Sequence, residues 1–368
     1  MKAQDDGASP PADQPARLGA LLAGPAPVLA LAPMQDVTDR PFWALLARYG
    51  GPDVYWTEYF RVHATWRPEP WILESLVRNP TGRPAIAQLI GNDPVALVRA
   101  ARELQEYPVA AIDLNLGCPA PVVYRKCAGG GLLREPARLG GLLGALREAV
   151  GARGVKFTVK TRLGFAAPEE FEGLLPLFAR AGLDLLTVHG RTVLEMYRTE
   201  VHYDWIARAV AGMPCPVLAN GNVHSADRAQ EVLRATGARG LMIGRGCIRS
   251  PWLFGQIRAR LAGLPETRPR GREVLAYVEE LYDTTTPPAL ARERLQVEKM
   301  KKYMNFLGTG LAGRGDFLHR IRRATHRAEF FAICRDHLDH DQPMPLEGSL
   351  ADPPKAAPPG STGGWKPA

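Results

Sequence analysis

The chain has 368 residues, of which 46% are hydrophobic, 23% are charged and five are cysteine. This is the composition of an ordinary soluble globular protein, which excludes a wholly disordered chain, a collagen and a fibre. The formal net charge of +8 indicates a particular partner only if the excess lies in one region. The cysteines are scattered without CxxC spacing, which argues against a metal site or a disulfide framework and for a reducing, cytoplasmic compartment.

Both ends of the chain are predicted to lie outside folded domains. Residues 1–24 are rich in Ala, Pro, Asp and Gly, so we expect a disordered leader there. Its apolar end is not a signal peptide, because acidic residues precede it and Pro25 and Pro27 follow it closely. The proline-rich residues 341–368 predict a disordered tail. No run reaches the roughly 20 apolar residues of a membrane span, so no membrane association is expected.

Between these ends, short apolar or β-branched runs recur at similar intervals, and most gaps between them have helical periodicity. The predicted strands are Val28–Met34, Asp53–Tyr59, Ala85–Gly91, Ala110–Gly117, Lys156–Gly164, Leu183–Arg191, Cys215–Asn222 and Gly240–Gly246. Eight strands alternating with helices predict an α/β fold, a parallel (β/α)8 TIM barrel over residues 25–263. The alternative is an open doubly wound sheet, but no GxGxxG turn follows the first strand.

After about residue 264 the strand signals stop and helical periodicity continues. The predicted helices there are Arg272–Asp283, Arg292–Phe306, Gly315–Ala324 and a segment that ends at Leu338. We therefore expect the barrel to be followed by a smaller all-helical C-terminal domain over residues 272–340.

Polar and reactive side chains follow several predicted strands, at the rim where barrels hold their active sites. Pro33 and Met34 end the first strand and offer a flat apolar surface to the back of a planar ring. Gln88, on the third strand, carries an amide that suits a ring edge of N–H and C=O groups. Asn115 ends the fourth strand. Cys118 lies in the next loop, where it could act as a nucleophile or as a general acid.

The fifth and sixth strands add positive charge to this rim. Lys160 and Arg162 are two residues apart, so their side chains share one side of the sheet. A lysine there could form a Schiff base or stand beside an anionic cofactor. His189 ends the sixth strand, next to Lys160, and is a candidate hydrogen-bond donor.

The turns after strands seven and eight are predicted to bind phosphate. Barrels frequently bind phosphate after these two strands, through exposed backbone N–H groups. Gly221 and Asn222 lie in the first turn, and Gly244 and Arg245 lie in the second, where the guanidinium adds a charge-assisted contact. The residues alone therefore predict a planar cofactor with a phosphate group, a cationic edge and a reactive cysteine.

The motifs APMQDVTDRPF, AQLIG, DLNLGCPAP, AGGGLL, VKTRLG, TVHGRT, ANGNV and MIGRG occur in this order. In that order they resemble the tRNA-dihydrouridine synthases. The resemblance runs from about Val28 to Phe254 and continues more weakly to about Leu338. It implies an FMN-binding barrel with a helical domain, NADPH as reductant, and reduction of the C5=C6 bond of specific tRNA uridines.

The resemblance also implies roles for the matching residues. Cys118 is the implied catalytic residue, which would protonate C5 of the uracil opposite the hydride that reaches C6. The implied uracil contacts are Asn115, Arg162 and Tyr197. The implied cofactor contacts are Pro33, Met34, Gln88, Lys160, His189, Asn220, Gly221, Asn222, Gly244 and Arg245. Met196 and Cys127 depart from the pattern, since relatives often carry a small residue and a glycine there.

Most of the charge excess lies in one segment of the predicted helical domain. Residues 292–327 hold ten Lys or Arg and three acidic residues, a net charge of +7. A solvated helix face is the usual explanation of such a run. Beside an enzyme that reduces a base, however, these helices are expected to contact tRNA phosphates. The predicted contacts are Lys299, Lys302, Arg322 and Arg323.

Three alternatives stay open on the sequence. The first is an FMN barrel that acts on a small-molecule pyrimidine, similar to dihydroorotate dehydrogenase, which would leave the basic helices unexplained. The second is an aldolase-type barrel that uses Lys160 as a Schiff base. The third is a non-catalytic RNA-binding relative, against which the intact Cys118 argues. No obligate protein partner is predicted.

Overall fold

A computed structural model of the chain describes residues 13–286 and 292–348. Eight parallel strands close into a barrel in sequence order. They are β1 (Val28–Leu31), β2 (Val54–Arg61), β3 (Ala85–Ile90), β4 (Ala111–Leu116), β5 (Lys156–Arg162), β6 (Leu185–His189), β7 (Val217–Asn220) and β8 (Gly240–Ile243). All eight predicted strands and the TIM-barrel fold are confirmed. The open sheet is excluded, because β8 pairs with β1.

The register of the barrel places its inward side chains in layers. Gln88, Asp113 and Thr158 lie opposite one another on β3, β4 and β5. Asn115 and Lys160 lie opposite each other one layer closer to the C-terminal ends of the strands. Because side chains alternate along a strand, both layers project to the same side of the sheet. The polar residues of the rim therefore stand on buried polar residues beneath them.

Helices surround this barrel. They are α1 (Gln14–Ala23), α2 (Arg40–Arg48), α3 (Pro70–Val77), α4 (Pro94–Leu104), α5 (Pro121–Tyr124), α6 (Pro136–Ala149), α7 (Phe171–Arg180), α8 (Tyr203–Gly212), α9 (Ala226–Thr236), α10 (Arg245–Arg249) and α11 (Leu253–Leu261). Several have a proline at the first or second position after an acidic N-cap residue. Asp39 and Asp93, for example, accept hydrogen bonds from backbone N–H groups of the first turns of α2 and α4.

The prediction of a disordered leader over residues 1–24 is wrong for its second half. Residues 14–23 form α1, and Leu18 and Leu22 pack against barrel residues such as Val28 and Met242. The Arg239 guanidinium donates hydrogen bonds to four backbone carbonyls at and just after the end of α1. Helix propensity alone would not hold so short a segment, and burial against the barrel does. Residues 1–12 lie outside the described part of the chain.

The helical region after the barrel comprises α12 (Gly271–Thr285), α13 (Glu293–Leu307), α14 (Arg314–Ile321) and α15 (Arg327–Leu338), as predicted. It packs on the barrel through α12 against α2 and through α13 against α10. The predicted tail also begins too early, because Met344 and Leu346 are buried. Residues 349–368 lie outside the described part. Within residues 13–286 and 292–348, no helix is long and apolar enough to cross a membrane.

Candidate active site

Cys118 lies at the mouth of the barrel on a turn held by Asn115. The Asn115 Oδ1 atom accepts hydrogen bonds from the backbone N–H groups of Gly117 and Cys118, at 3.0 and 2.9 Å. Burial raises the pKa of the Cys118 thiol above its ordinary value. The thiol is therefore protonated at neutral pH, which suits a general acid and not a thiolate nucleophile.

Arg162 joins this turn to the loop after β6. Its Nε donates to the Gly117 carbonyl at 2.8 Å, and its Nη1 donates to the carbonyls of Thr192 and Met196 at 2.7 and 2.8 Å. The side chain is only 2% exposed. Arg162 lies two residues after Lys160 on β5, and its Nε and Nη1 atoms serve the two loops.

Tyr197 is the exposed aromatic side chain of this mouth. The Arg162 guanidinium lies 5.3 Å from the centre of its ring, and the Arg245 guanidinium lies 4.6 Å from it. The ring of His189 lies 6.0 Å away. Tyr197 is 40% exposed, so its ring offers a face on which a base or another planar group can stack.

Lys160 and His189 lie on adjacent strands inside the mouth. Burial and, to a smaller extent, the Arg162 guanidinium lower the pKa of Lys160 to about 8, although the charge of Asp113 opposes both effects. Burial, with Arg162 and Lys160 nearby, also lowers the pKa of His189 well below its ordinary value. At neutral pH Lys160 is therefore a cation, and His189 is a neutral imidazole with one N–H to donate.

The turn after β7 has a backbone conformation that favours glycine. Gly221 has φ 130°, a conformation that favours glycine, and an added Cβ would lie 3.0 Å from Val201. Asn220 donates through Nδ2 to the Met242 carbonyl at 2.7 Å and so joins the two strands. Arg245 donates to the Asn222 side chain at 3.2 Å.

Positive charge gathers around these turns, where Arg191, Arg245 and Arg249 form no ion pair with a carboxylate among the described residues. Burial, together with the charge of Arg245, lowers the pKa of both Arg191 and Arg249 to about 10. Several buried atoms here have no hydrogen-bond partner within the described residues, namely Arg191 Nη1, both ring nitrogens of His224, Arg228 Nε, Arg249 Nη1 and Ser250 Oγ. Clustered guanidiniums are stabilised by a bound anion, so the residues fit a phosphate group.

The predicted apolar floor adjoins these turns. A Cβ on Gly244 would lie 3.1 Å from the sulfur of Met34, and Pro33 and Met34 are both partly exposed. Gln88, unlike Pro33 and Met34, is not exposed at the mouth. It is fully buried, and its amide is bonded to Asp113 and Asn115. The structure therefore connects Gln88 to the mouth through Asn115 and gives it no open surface.

Sequence reasoning missed several residues of this site. Asp113 is a charged residue on an apolar strand, two positions before Asn115, and that spacing could have revealed it. Arg191 stands two positions after His189 in the same way. Tyr59 and Arg61 end β2 near Cys118, and the Arg61 guanidinium lies 5.6 Å from the centre of the Tyr59 ring. No periodic signal pointed to Arg249.

The four basic residues predicted to contact RNA divide into two pairs. Lys299 and Lys302 form ion pairs with Asp39 and Asp36, at 2.7 and 3.4 Å, in the loop after β1. The structure thus gives Lys299 a role in joining α13 to the barrel, which the prediction did not include. Arg322 and Arg323 are exposed, and within the described part of the chain their side chains bond to Asn305 and His319 of their own domain.

The Tyr303 hydroxyl reinforces the contact between the domains by donating to the Val37 carbonyl at 2.9 Å. Among the described residues, no cluster of His, Cys, Asp and Glu could hold a metal ion. The mouth brings together the Cys118 thiol, buried cations and turns that fit an anion.

Comparison with known proteins decides the family. A profile described as "Dihydrouridine synthase (Dus)" matches residues 30–338, which span both the barrel and the helical domain. The chain belongs to the dihydrouridine synthase family. Family membership confirms the resemblance stated from the motifs and makes the protein an oxidoreductase. It also removes the aldolase alternative.

Curated dihydrouridine synthases of two kinds match this chain. The tRNA-dihydrouridine(16) synthase of Pseudomonas putida is 36% identical over 64% of this chain and 74% of its own length. The tRNA-dihydrouridine synthase B of Pseudomonas aeruginosa is 34% identical over 73% of this chain and 82% of its own length. The two kinds have nearly equal identity to this member of the family.

A solved structure shares the fold. Histamine dehydrogenase from Rhizobium sp. 4-9 superposes with a TM-score of 0.51 at 13% identity, over 72% of this chain and 51% of that one. At that identity the likeness extends to the barrel architecture alone, and it agrees with the closed eight-stranded sheet described above.

Proposed function

We propose that this dihydrouridine synthase reduces the C5=C6 bond of specific uridines in tRNA, with FMN as cofactor, NADPH as reductant and Cys118 as proton donor to C5. One observation carries the proposal. Cys118 is a protonated thiol at the mouth of the barrel, on the same rim as the cationic turns after β7 and β8 that fit a phosphate. The family relation and the tRNA substrates in the names of the two relatives support it.

Two groups of residues would hold FMN. Asn220, Gly221, Asn222, Gly244 and Arg245, joined by Arg191 and Arg249, would hold the phosphate. Pro33 and Met34 would support the ring, while Lys160 and His189 would serve its polar edge. Gln88 has no open surface and would act on this edge only through Asn115. Bound FMN would supply the hydride for C6 of the uracil.

The chain itself supplies the proton and the orientation. The Cys118 Sγ holds its proton near neutral pH, because burial disfavours the thiolate, and it gives that proton to C5. Lys160 keeps a positive charge inside the mouth, where it would stabilise the negative charge that FMN would carry when reduced. Asn115, Arg162 and Tyr197 would orient the uracil, which must leave its stack to enter.

The proposal is tested with purified protein, NADPH and unmodified tRNA. We expect a yellow protein that forms dihydrouridine at specific positions, which mass spectrometry of tRNA digests can map. Free uridine and orotate serve as comparison substrates. Preference for these small molecules over tRNA would favour the dihydroorotate dehydrogenase-like alternative. An enzyme of that kind would use the same phosphate-binding turns and the same lysine, which is the observation that supports it.

Charge removal at Arg322 and Arg323 should weaken tRNA binding. The slope of log K for tRNA binding against log salt concentration is negative. In the double variant Arg322→Gln/Arg323→Gln, we expect the magnitude of this slope to decrease by about two, because each lost phosphate contact removes roughly one unit of slope. The matched control is Arg320→Gln, since Arg320 is already paired with Asp336 at 2.6 Å. Flavin content should be unchanged. A salt slope equal to that of the wild type would remove these residues from the tRNA surface.

A further inference from the structure

Asp113 lies fully buried beneath the mouth, and the mechanism above gives it no role. Its Oδ1 accepts a hydrogen bond from the Thr158 hydroxyl at 2.6 Å, and its Oδ2 accepts one from Gln88 Nε2 at 2.7 Å. Strand register places all three residues in one layer. Burial raises the pKa of Asp113 to about 6, so the group is ionised at and above neutral pH. An ionised carboxylate can only accept hydrogen bonds.

A chain of amides leads from Asp113 to the thiol loop. Asn115 Nδ2 donates to Gln88 Oε1 at 2.8 Å, and Asn115 Oδ1 accepts from the N–H groups of Gly117 and Cys118. Each amide could bind in either of two orientations. Because Asp113 only accepts, Gln88 must point its NH2 group at Asp113 and its oxygen at Asn115. Asn115 must then point its oxygen at the Cys118 loop, where the N–H groups of Gly117 and Cys118 can only donate. The carboxylate at one end of the chain and these N–H groups at the other therefore require the same orientation of both amides.

Asp113 also acts on the charge of Lys160. The charged and titratable groups that face Lys160 are Arg162 on its own strand, Asp113 and Cys118 from β4 and its loop, and His189 on β6. His189 is neutral and Cys118 is a neutral thiol at pH 7. Asp113 is therefore the negative charge in this group, and it favours the protonated ammonium that burial and Arg162 disfavour.

We propose that Asp113 is a positioning residue of the active site. Its carboxylate orients the amide chain that holds the Cys118 loop, and its charge keeps Lys160 protonated. The inference rests on the proposed function, because it concerns the proton donor and the cation of that reaction. It adds a residue that touches neither substrate nor cofactor and acts through Gln88, Asn115 and Lys160.

The variant Asp113→Asn tests the charge. Asparagine can accept from Gln88 and donate to the Thr158 hydroxyl, so the amide chain is kept while the charge is lost. Loss of a nearby negative charge lowers the pKa of a lysine. A plot of flavin reduction potential against pH should show an inflection where Lys160 loses its proton. In Asp113→Asn this inflection should lie about one pH unit lower, and the alkaline loss of turnover should move with it. An inflection at the wild-type pH would overturn this part.

The variant Gln88→Met tests the amide chain, because it breaks the chain and leaves the charge of Asp113 in place. We expect turnover to fall and the inflection to stay at its wild-type pH. The loosened loop should also expose Cys118, and iodoacetamide should alkylate it severalfold faster, as measured by mass spectrometry of its peptide. Wild-type alkylation and turnover would overturn the orienting role. A wild-type protein that binds no flavin would overturn the proposed function instead, and alkylation would still decide the role of the chain.

Discussion

Replacing Cys118 with alanine is expected to lower dihydrouridine formation in tRNA by about 10²- to 10⁴-fold, the usual contribution of a positioned general acid. The reason is the absence of another protonated thiol at this turn, where Asn115 holds the Cys118 backbone. Single-turnover assays with NADPH-reduced protein measure the effect on the chemical step. Flavin content and the rate of flavin reduction by NADPH should stay near the wild-type values, since neither requires the proton.

The matched control for this variant is Cys127→Ala. Cys127 is also a partly buried free cysteine, but it contacts Arg134, at 3.6 Å from its Sγ, in the loop that follows α5. Its loss should leave turnover within about twofold of the wild type, since it belongs to no catalytic contact. Equal turnover in Cys118→Ala and the wild type would show that another group protonates C5.

Replacing Arg162 with methionine should damage both stability and activity. Three carbonyls, of Gly117, Thr192 and Met196, would lose their buried donor. An unsatisfied buried polar group costs about 1–3 kcal/mol, and partial relaxation toward the open mouth leaves a total loss of about 3 kcal/mol. We therefore expect the thermal midpoint to fall by roughly 4 °C. Turnover should fall by at least about tenfold, because the thiol loop and the Tyr197 loop lose their common anchor.

Arg198→Met is the control for the Arg162 variant. Arg198 lies in the same loop, and its guanidinium is exposed near the sulfur of Met196, at 3.9 Å. The Arg198→Met variant removes a guanidinium from the surface, so the thermal midpoint of this variant should change by no more than about 2 °C. A loss of stability in Arg198→Met as large as that in Arg162→Met would show that charge in this loop matters more than the three buried hydrogen bonds.

The positions of the strands could be predicted from the sequence because each predicted run is apolar and bounded by Gly or Pro. The closed barrel then places every strand end at one rim, so residues far apart in sequence, such as Cys118, Lys160 and Gly221, were correctly expected to share a mouth. The helix α1 was missed, since its Ala, Leu and Gly residues have no pattern that reveals the barrel surface beneath them. Its stability comes from the burial of Leu18 and Leu22.

The basic segment, residues 292–327, also combines a feature that the sequence reveals with one that depends on the folded structure. Its charge was visible as a count, but the count could not tell that Lys299 pairs with Asp39, 260 residues earlier, while Arg322 faces solvent. Ion pairs between distant parts of a chain depend on how two domains dock, and no local pattern encodes that. The positive cluster of Arg191, Arg245 and Arg249 arose for the same reason.

By itself, the sequence determined the barrel, the helical domain and the family, because hydrophobic periodicity and ordered motifs are local properties of a chain. Only the tertiary structure decided which polar atoms meet. Asp113, Gln88 and Asn115 lie on two strands, and the hydrogen bonds between them depend on strand register and burial. Burial also decides that Cys118 keeps its proton and that Lys160 titrates near neutral pH, since desolvation is a property of the folded mouth.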